Sequence, residues 1–375
     1  MVDASDYHYM SRALILAERG LYTTDPNPRV GCVLVKDGQV IGEGWHVRAG
    51  EAHAEVIALE QAGEQARGAT VYVTLEPCCH HGRTAPCTDA LLAAGVTRVV
   101  AAMEDPNPRV AGRGLAQIRA AGVAVECGLL SDKAQALNPG FVQRMRKGRP
   151  WVRCKLAMSL DGRTAMASGE SQWITGAAAR ADVQRLRARS SAIMTGIGTV
   201  LADDPSLTVR LPDTRRQPLR VILDSRLRTP PGANVLQQEG PVLIFTSVSE
   251  ARYHDPLRRA GAEIAVLPPT GEGLDLAAVL AELAAREINE LHLECGATLA
   301  GALLRRRLLD ELIVYLAPLV LGDSARGLFH LPGMDRMDQR IELTITDIRA
   351  VGHDWRIDAQ PAPPQPERGG SERER

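Results

Sequence analysis

Helix-like and strand-like stretches alternate along this 375-residue chain almost to its end, and that alternation restricts the fold more than any single motif does. Tyr7–Arg19 carries apolar residues at helical spacing and stops at Gly20. Val30–Val35 is a β-branched run closed by Asp37-Gly38, a two-residue hairpin signal, with Val40-Ile41 resuming beyond it. Helix Ala54–Ala62, strand Thr70–Thr74, helix Asp89–Ala94 ending at Gly95, strand Arg98–Met103, helix Leu115–Ala121 and strand Val123–Cys127 follow. Helices interleaved with mostly buried strands predict a three-layer α/β domain.

Lys147-Gly148-Arg149-Pro150 interrupts the pattern and reads as a linker. Beyond it come strand Val152–Leu156, helix Ala177–Arg189 and strands Ala192–Thr195, Arg220–Leu223 and Val242–Thr246. Helix Leu274–Arg286, strand Leu291–Glu294, helix Ala297–Leu308 and strand Leu312–Leu316 complete a second α/β unit. The organisation expected is a first domain over 1–147, a second over 151–360 and a tail over 361–375. That tail holds four prolines and no large apolar side chain, so it has nothing to bury and is expected to be disordered.

Charge and hydropathy exclude several classes. Lys and Arg number 44 against 45 Asp and Glu, a net charge of −1, whereas a general nucleic-acid binder would carry a basic excess. The first residues lack a basic-then-apolar secretory signal, and the longest apolar run, Leu312–Leu321, is about half of what a membrane span needs. The seven cysteines are odd in number, so reduced thiols in the cytoplasm are expected rather than a disulfide framework.

Three of those cysteines, Cys78, Cys79 and Cys87, fall within ten residues. Upstream, His53-Ala54-Glu55 opens a helix, and Pro77-Cys78 closes a strand. Imidazole and thiolate are natural zinc ligands, and three protein ligands with one open position make a catalytic site. His-x-Glu followed by Pro-Cys…Cys is the logic of zinc deaminases, in which the glutamate moves protons and does not bind the metal. Thiolates at helix N-termini are favoured by the helix dipole. The alternative is a buried histidine, an exposed glutamate and cysteines acting as small hydrophobes; the order and spacing of all the parts together argue against it. The spacing between cysteines is Cys-x₈-Cys, longer than the Cys-x₂-Cys of most nucleoside and nucleic-acid deaminases. Asp-Pro-Asn-Pro-Arg-Val occurs at 25–30 and again at 105–110, which is either repeated turn chemistry or two loops lining one pocket.

Thr24–Cys32, His53-Ala54-Glu55, Thr74–Thr84 and Glu104–Pro108 resemble the bifunctional deaminase/reductases of riboflavin biosynthesis. In the second half so do Lys155–Thr164, Ser168–Thr175 and Thr199–Pro205. The resemblance covers about residues 5 to 358. It implies a cytidine-deaminase-like N-terminal domain that hydrolyses the exocyclic amine of 2,5-diamino-6-ribosylamino-4-pyrimidinone 5'-phosphate. It also implies a dihydrofolate-reductase-like C-terminal domain that reduces the ribosyl group to ribityl with NADPH. On this resemblance His53, Cys78 and Cys87 hold Zn²⁺, Glu55 is the proton shuttle, and Cys78 is preferred over Cys79 because it directly follows Pro77. Asn27, His46 and Asn107 are candidate substrate contacts. Ala157, Trp173, Thr199, Asp203, Ser225 and the run Gly296, Ala297, Thr298, Leu299, Ala300, Gly301, Ala302 would touch NADPH. Ser171, Arg187, Leu207, Arg210 and Glu294 would touch substrate, and Lys155 would assist opening of the ribosylamine.

Residue chemistry supports parts of this list and leaves others open. Glycines at Thr195-Gly196-Ile197-Gly198-Thr199 and Glu294-Cys295-Gly296 sit at strand-to-helix junctions, where backbone N–H groups attract phosphate. Gly196-x-Gly198 alone is a weak signal and more often just a tight turn, and no Gly-x-Gly-x-x-Gly follows the first strand, which disfavours an ordinary Rossmann domain. Arg187 is either a phosphate ligand or part of a solvated helix face, and Trp173 either a cofactor contact or core. Asp224 offers an NAD-type acid, whereas Ser225 and Arg226 offer donors for a 2'-phosphate; the resemblance favours NADPH. Two rival readings remain: a nucleoside or nucleic-acid deaminase fused to an unrelated nucleotide-binding domain, and a zinc-stabilised binding protein whose site is closed by His80 or His81. The partners expected are a small pyrimidine ribose phosphate and further copies of the chain in a homo-oligomer, with neither nucleic acid nor membrane.

Overall fold

The computed structural model describes residues 2–80, 85–212, 214, 216–271 and 273–363. The first half runs α1 (Ala4–Glu18), β1 (Gly31–Lys36), β2 (Gln39–Trp45), α2 (Ala54–Ala62), β3 (Thr70–Val73), α3 (Cys87–Ala94), β4 (Arg98–Ala101), α4 (Arg113–Ala120) and β5 (Ala124–Cys127). The Asp37-Gly38 turn is as read: both residues have positive φ, 52° and 75°, which lets β1 and β2 pair directly. The sheet order is β2-β1-β3-β4-β5, antiparallel from β2 to β3 and parallel beyond.

Alternate residues of each strand face opposite layers. Val33, Tyr72 and Val100 pack against Met10, Ala13 and Leu14 of α1, while Cys32, Leu34, Val71 and Val99 pack against Ala54, Ala58, Leu91, Leu115 and Ile118 of α2, α3 and α4. The three-layer expectation therefore holds. Gly42 and Gly44 set the height of α2 over the sheet: a Cβ at either would fall 2.2 Å from Ala58 O or 2.1 Å from Ala54 O. Only glycine lets α2 lie this close, and α2 carries the metal motif.

Two further helices, α5 (Ser131–Leu137) and α6 (Pro139–Lys147), fill the segment before the linker and were not foreseen. α6 turns Phe141, Val142 and Met145 onto the α1 side of the first sheet. Gly148 of the linker is the left-handed C-cap of α6, with φ 63°.

The second half contains β6 (Trp151–Ser159), β7 (Arg163–Ala165), α7 (Ala177–Arg189), β8 (Ala192–Gly196), α8 (Ile197–Asp203), β9 (Leu219–Leu223) and β10 (Val242–Thr246). It continues with α9 (Asp255–Arg259), β11 (Ala262–Val266), the short pair β12 (Pro269–Thr270) and β13 (Gly273–Leu274), α10 (Leu276–Ala285), β14 (Glu290–Glu294), α11 (Ala297–Arg305) and β15 (Glu311–Ala317). Last come β16 (Arg326–Gly327), which pairs with β7, then β17 (Leu343–Val351) and β18 (Asp354–Pro361). Nine strands form one sheet in the order β11-β10-β9-β8-β14-β6-β15-β18-β17, parallel through β15 and antiparallel for the last two. α10 and α11 cover one face through Val279, Leu280, Leu283, Leu303 and Leu304. α8 and α9 cover the other through Ile197, Val200 and Leu257.

Pro361 ends β18, and Ala362 N–H donates to Glu342 O at 2.9 Å, so ladder hydrogen bonding carries order past it. Residues 364–375 of the expected tail lie outside the described residues, as do 81–84 of the long insertion between Cys79 and Cys87.

Candidate metal centre and reductase cleft

His53 is the N-cap of α2, Cys87 is the first residue of α3, and Cys78 follows β3. The sheet and these two helix starts bring the three together: His53 Nδ1 lies 3.2 Å from Cys87 Sγ and 3.6 Å from Cys78 Sγ. All three ligand atoms fall within 4.8 Å of one another. A tetrahedral zinc separates a sulfur and a nitrogen ligand by about 3.5 Å, given Zn–S near 2.3 Å and Zn–N near 2.0 Å. The donor set and its spacing fit zinc.

Cys87 donates to the Cys78 sulfur through its thiol and its backbone N–H, the latter at 3.3 Å, and with His53 this pushes the Cys78 thiol down to about 4. Cys79 goes the other way, raised by burial and the nearby Glu76 carboxylate, and lies outside the cluster. The fold sets Cys78, and not Cys79, beside His53 and Cys87. Among the described residues no fourth ligand joins; His80 is not in the cluster, and His81 lies outside the described residues. Glu55 sits in the first turn of α2, buried, and burial raises its carboxyl pKa above the ordinary value.

Both copies of the hexapeptide border this centre. In the first, Asn27 Nδ2 lies 3.0 Å from His46 Nε2, and the His46 ring stands edge-on to His53 at 5.3 Å. The second closes on itself: Asn107 Oδ1 accepts from Arg109 N, and Asp105 Oδ1 from Asn107 N. Asp105 is nonetheless pushed up to about 7, chiefly by burial, with the Glu76 and Cys78 charges adding to it. Glu76, which sequence reading passed over as part of the cysteine motif, holds this loop by accepting four backbone N–H groups, from Asp105, Gly112, Gly114 and Leu115.

In the second domain a cleft of about 1200 Å³ opens at the carboxyl ends of β6, β8, β9 and β14, where open α/β sheets bind ligands. It is lined by Lys155, Ala157, Ser171, Trp173, Arg187, Thr199, Asp203, Leu207, Arg210, Ser225 and Glu294, together with Gly296, Ala297, Thr298, Leu299 and Ala302. Ala300 and Gly301 were expected there and are not. Helical periodicity turns Ala300 into the core, and a Cβ on Gly301 would meet His330 O at 2.2 Å. Trp173 is not core: it is 69% exposed, with the Arg180 guanidinium 4.6 Å over its ring.

Arg187 lines the cleft with its guanidinium already engaged. It is 8% exposed, and its guanidinium is committed to Glu294 at 2.6 and 2.8 Å and to Thr208 O at 2.8 Å. It therefore orients a carboxylate, while Arg210 stands exposed in the cleft lining. Burial alone would raise the Glu294 pKa, but Arg187 holds it well below the carboxylate range. Lys155 is lowered by its burial, with Glu294 opposing and Arg187 adding to the effect. Asp224 is excluded as an NAD-type acid, because its Oδ2 accepts from Thr229 N and Oγ1 at 2.7 Å each and it is fully buried. Ser225 lines the cleft; Arg226 does not.

A metal centre of deaminase type and a separate cleft on one chain narrow the families that fit. Residues 3–103 match the cytidine and deoxycytidylate deaminase zinc-binding region, and residues 150–357 match the RibD C-terminal domain. The chain is 53% identical over 362 residues to the riboflavin biosynthesis protein RibD of Escherichia coli K12, covering 93% of this chain and 97% of that one. The chain belongs to the RibD family. The same relation holds in three dimensions. A RibD structure from Acinetobacter baumannii superposes with TM-score 0.90 at 48% identity, covering 96% of this chain and 99% of that one. A deaminase/reductase of the family from Thermotoga maritima superposes with TM-score 0.85 at 34% identity, with the same coverage. As a RibD family member the chain is a bifunctional enzyme of riboflavin biosynthesis, a hydrolytic deaminase and a reductase in one, using zinc and NADPH. It acts on small pyrimidines rather than nucleic acid, and the rival reading of an editing or nucleoside deaminase falls away.

Proposed function

We propose that the His53–Cys78–Cys87 centre removes the exocyclic amine of 2,5-diamino-6-ribosylamino-4-pyrimidinone 5'-phosphate. The 151–360 domain then reduces the resulting ribosylamine, giving 5-amino-6-ribitylamino-uracil 5'-phosphate. The observation that carries this reading is the pairing of a three-ligand centre beside a buried glutamate with a second cleft built around Lys155 and Glu294. Zinc held by His53, Cys78 and Cys87 supplies the Lewis acidity that makes water a nucleophile at neutral pH. Glu55, raised by burial, is suited to accept the proton of that water and pass it to the departing amine, since a general acid works best with a pKa near the working pH. His46 N–H donates from Nδ1 to Ala52 O, so Nε2 accepts from the Asn27 amide. That arrangement leaves the Asn27 carbonyl free to accept from a substrate amine.

In the second cleft, NADPH would supply the reducing equivalent for the ribosyl group. Trp173, Thr199, Asp203, Ser225 and the start of α11 would hold it, with the Gly296 to Leu299 backbone facing its phosphates. Glu294 is kept ionised and fixed in direction by Arg187. Lys155 gives up its proton more readily than a solvated lysine, which suits it to donate to the ribose oxygen as the ring opens. Ser171, Leu207 and Arg210 would contact the substrate, Arg210 through its phosphate. Product masses from the diaminopyrimidine phosphate test the assignment. Without NADPH only the deaminated pyrimidine should accumulate; with NADPH a species heavier by two hydrogens should replace it. No mass change in either case would sink the reading.

A cytoplasmic homo-oligomer is part of this proposal. Seven free cysteines suit a reducing compartment, and among the described residues no helix is long and apolar enough to cross a membrane. The edge strand β17 exposes Leu343, Ile345 and Ile348 beside Trp355, a surface suited to a second copy. Light scattering that returns a single-chain mass would remove the oligomer from the proposal.

A further inference from the structure

The two copies of Asp-Pro-Asn-Pro-Arg-Val have the same sequence and different anchors. Glu76, inside the deaminase domain, holds the second. The first is held from the other domain. Asn289, the residue before β14, donates from Nδ2 to Pro26 O at 2.7 Å and to Asp25 Oδ1 at 3.2 Å. Ser191 Oγ donates to the same Asp25 oxygen at 2.6 Å, and Arg216 Nη1 to Asp25 Oδ2 at 3.0 Å. Four residues on, Arg29 Nη2 donates to Glu290 at 2.7 Å. The free centre of this clamped loop is Asn27, which stands against His46 at the zinc centre.

We propose that Asn289, a residue of the reductase domain, is a positioning residue for the deaminase reaction, acting through the 25–29 loop on Asn27. Its amide is built for one orientation. Oδ1 accepts from Arg144 Nε at 2.7 Å, which turns the NH₂ toward the loop, and its backbone N–H donates to Ser191 Oγ while its carbonyl accepts from Trp151 N. Every polar group of Asn289 is thus occupied, and the residue is buried. Gly140 of α6 abuts its carbonyl so closely that a Cβ there would lie 2.5 Å from the oxygen. The anchor is stiff, and a shift of about 1 Å in a substrate contact is enough to cost a large factor in rate. The deaminase site is therefore incomplete without the second domain, although the metal ligands and Glu55 all lie in the first.

This inference rests on the reading of Asn27 as a substrate contact, so the experiment separates the two. Asn289→Asp is isosteric and still accepts from Arg144, but it cannot donate to Pro26 and sets a carboxylate against Asp25. In the full chain it should raise the deaminase KM about tenfold or more with kcat changed by less than about threefold. Zinc content and reduction of pre-deaminated substrate should stay within about twofold of the parent. Arg216→Met, which removes another Asp25 partner, should move the deaminase KM in the same direction and serves if Asn289→Asp does not fold. Asn27→Ala should raise KM as well, and the double variant Asn27→Ala/Asn289→Asp should be no worse than Asn27→Ala alone, since both act on one contact. A KM raised by Asn27→Ala and untouched by Asn289→Asp and Arg216→Met would overturn the positioning role and leave the Asn27 reading standing. Parent KM in all three single variants would overturn both. Equal losses of both activities would mark Asn289 as merely structural and would likewise overturn it.

Discussion

Glu290→Gln tests the domain interface most directly. Glu290 is 2% exposed and accepts from Arg29 at 2.7 Å, Arg153 at 3.0 Å and Arg189 at 3.1 Å. Arg153 is itself fully buried, with Glu311 as its other partner. Glutamine keeps the shape, removes the charge and turns an NH₂ group toward a guanidinium, so buried cations lose their compensation. Breaking a buried pair this way costs about 3–5 kcal/mol. At 2–4 °C per kcal/mol for a domain of this size, the calorimetric Tm should fall by about 6–20 °C. Glu263→Gln is the control: its pair with Arg286 is as short, 2.7 Å, but Glu263 is 59% exposed and its loss should cost about 0–1 kcal/mol. The effect carries a pH signature. Burial alone would raise the Glu290 pKa, yet Arg189, Arg29 and Arg153 hold it far below the carboxylate range. Its contribution is therefore complete above the unfolded value, about 4.3, and is lost as pH falls from there toward the folded value. The gap between parent and variant should be flat from pH 6 to 8 and narrow below about pH 4. A Tm loss no larger than that of Glu263→Gln, or a gap that does not narrow in acid, would refute the ion-cluster account.

The remaining predictions concern the two sites. Glu55→Gln should lower deaminase kcat by about 10²-fold or more while reduction of pre-deaminated substrate is unchanged, as read by separate assays. Cys78→Ser should lose most bound zinc by elemental analysis, whereas Cys79→Ser should retain about one equivalent per chain; the reverse result would shift the ligand register. The enzyme should prefer NADPH over NADH by at least about tenfold in kcat/KM, about 1.4 kcal/mol, and Ser225→Asp should erode that preference chiefly through the KM for NADPH. An unchanged ratio in Ser225→Asp would move the 2'-phosphate contact elsewhere.

The metal centre was legible in the sequence because its parts are local. His53 and Glu55 share one helix turn, and Cys78 and Cys87 mark a strand end and a helix start, so element order alone brings them together. The three-layer and second α/β domains were legible for the same reason, each amphipathic period reporting its own buried face. α5 is sparse in apolar residues, the apolar stripe of α6 spans little more than one turn, and β17 is exposed on both faces. β18 buries the charged Asp354, Arg356 and Asp358, so none of the four shows a core-facing period long enough to read. Ala300 and Gly301 were over-assigned because a continuous run was read as one surface, whereas a helix turns every third or fourth residue into the core. Partnership across the fold was not legible at all. Sequence spacing cannot say that Arg187 is committed to Glu294 107 residues away, that Asp224 serves a turn, or that Asn289 holds Pro26 across 263 residues. Residue identity and local period determined which chemistry the chain carries. Only the packing of one domain against the other decided which polar groups remain free to meet substrate, because a buried donor or acceptor binds whatever partner the tertiary fold sets beside it.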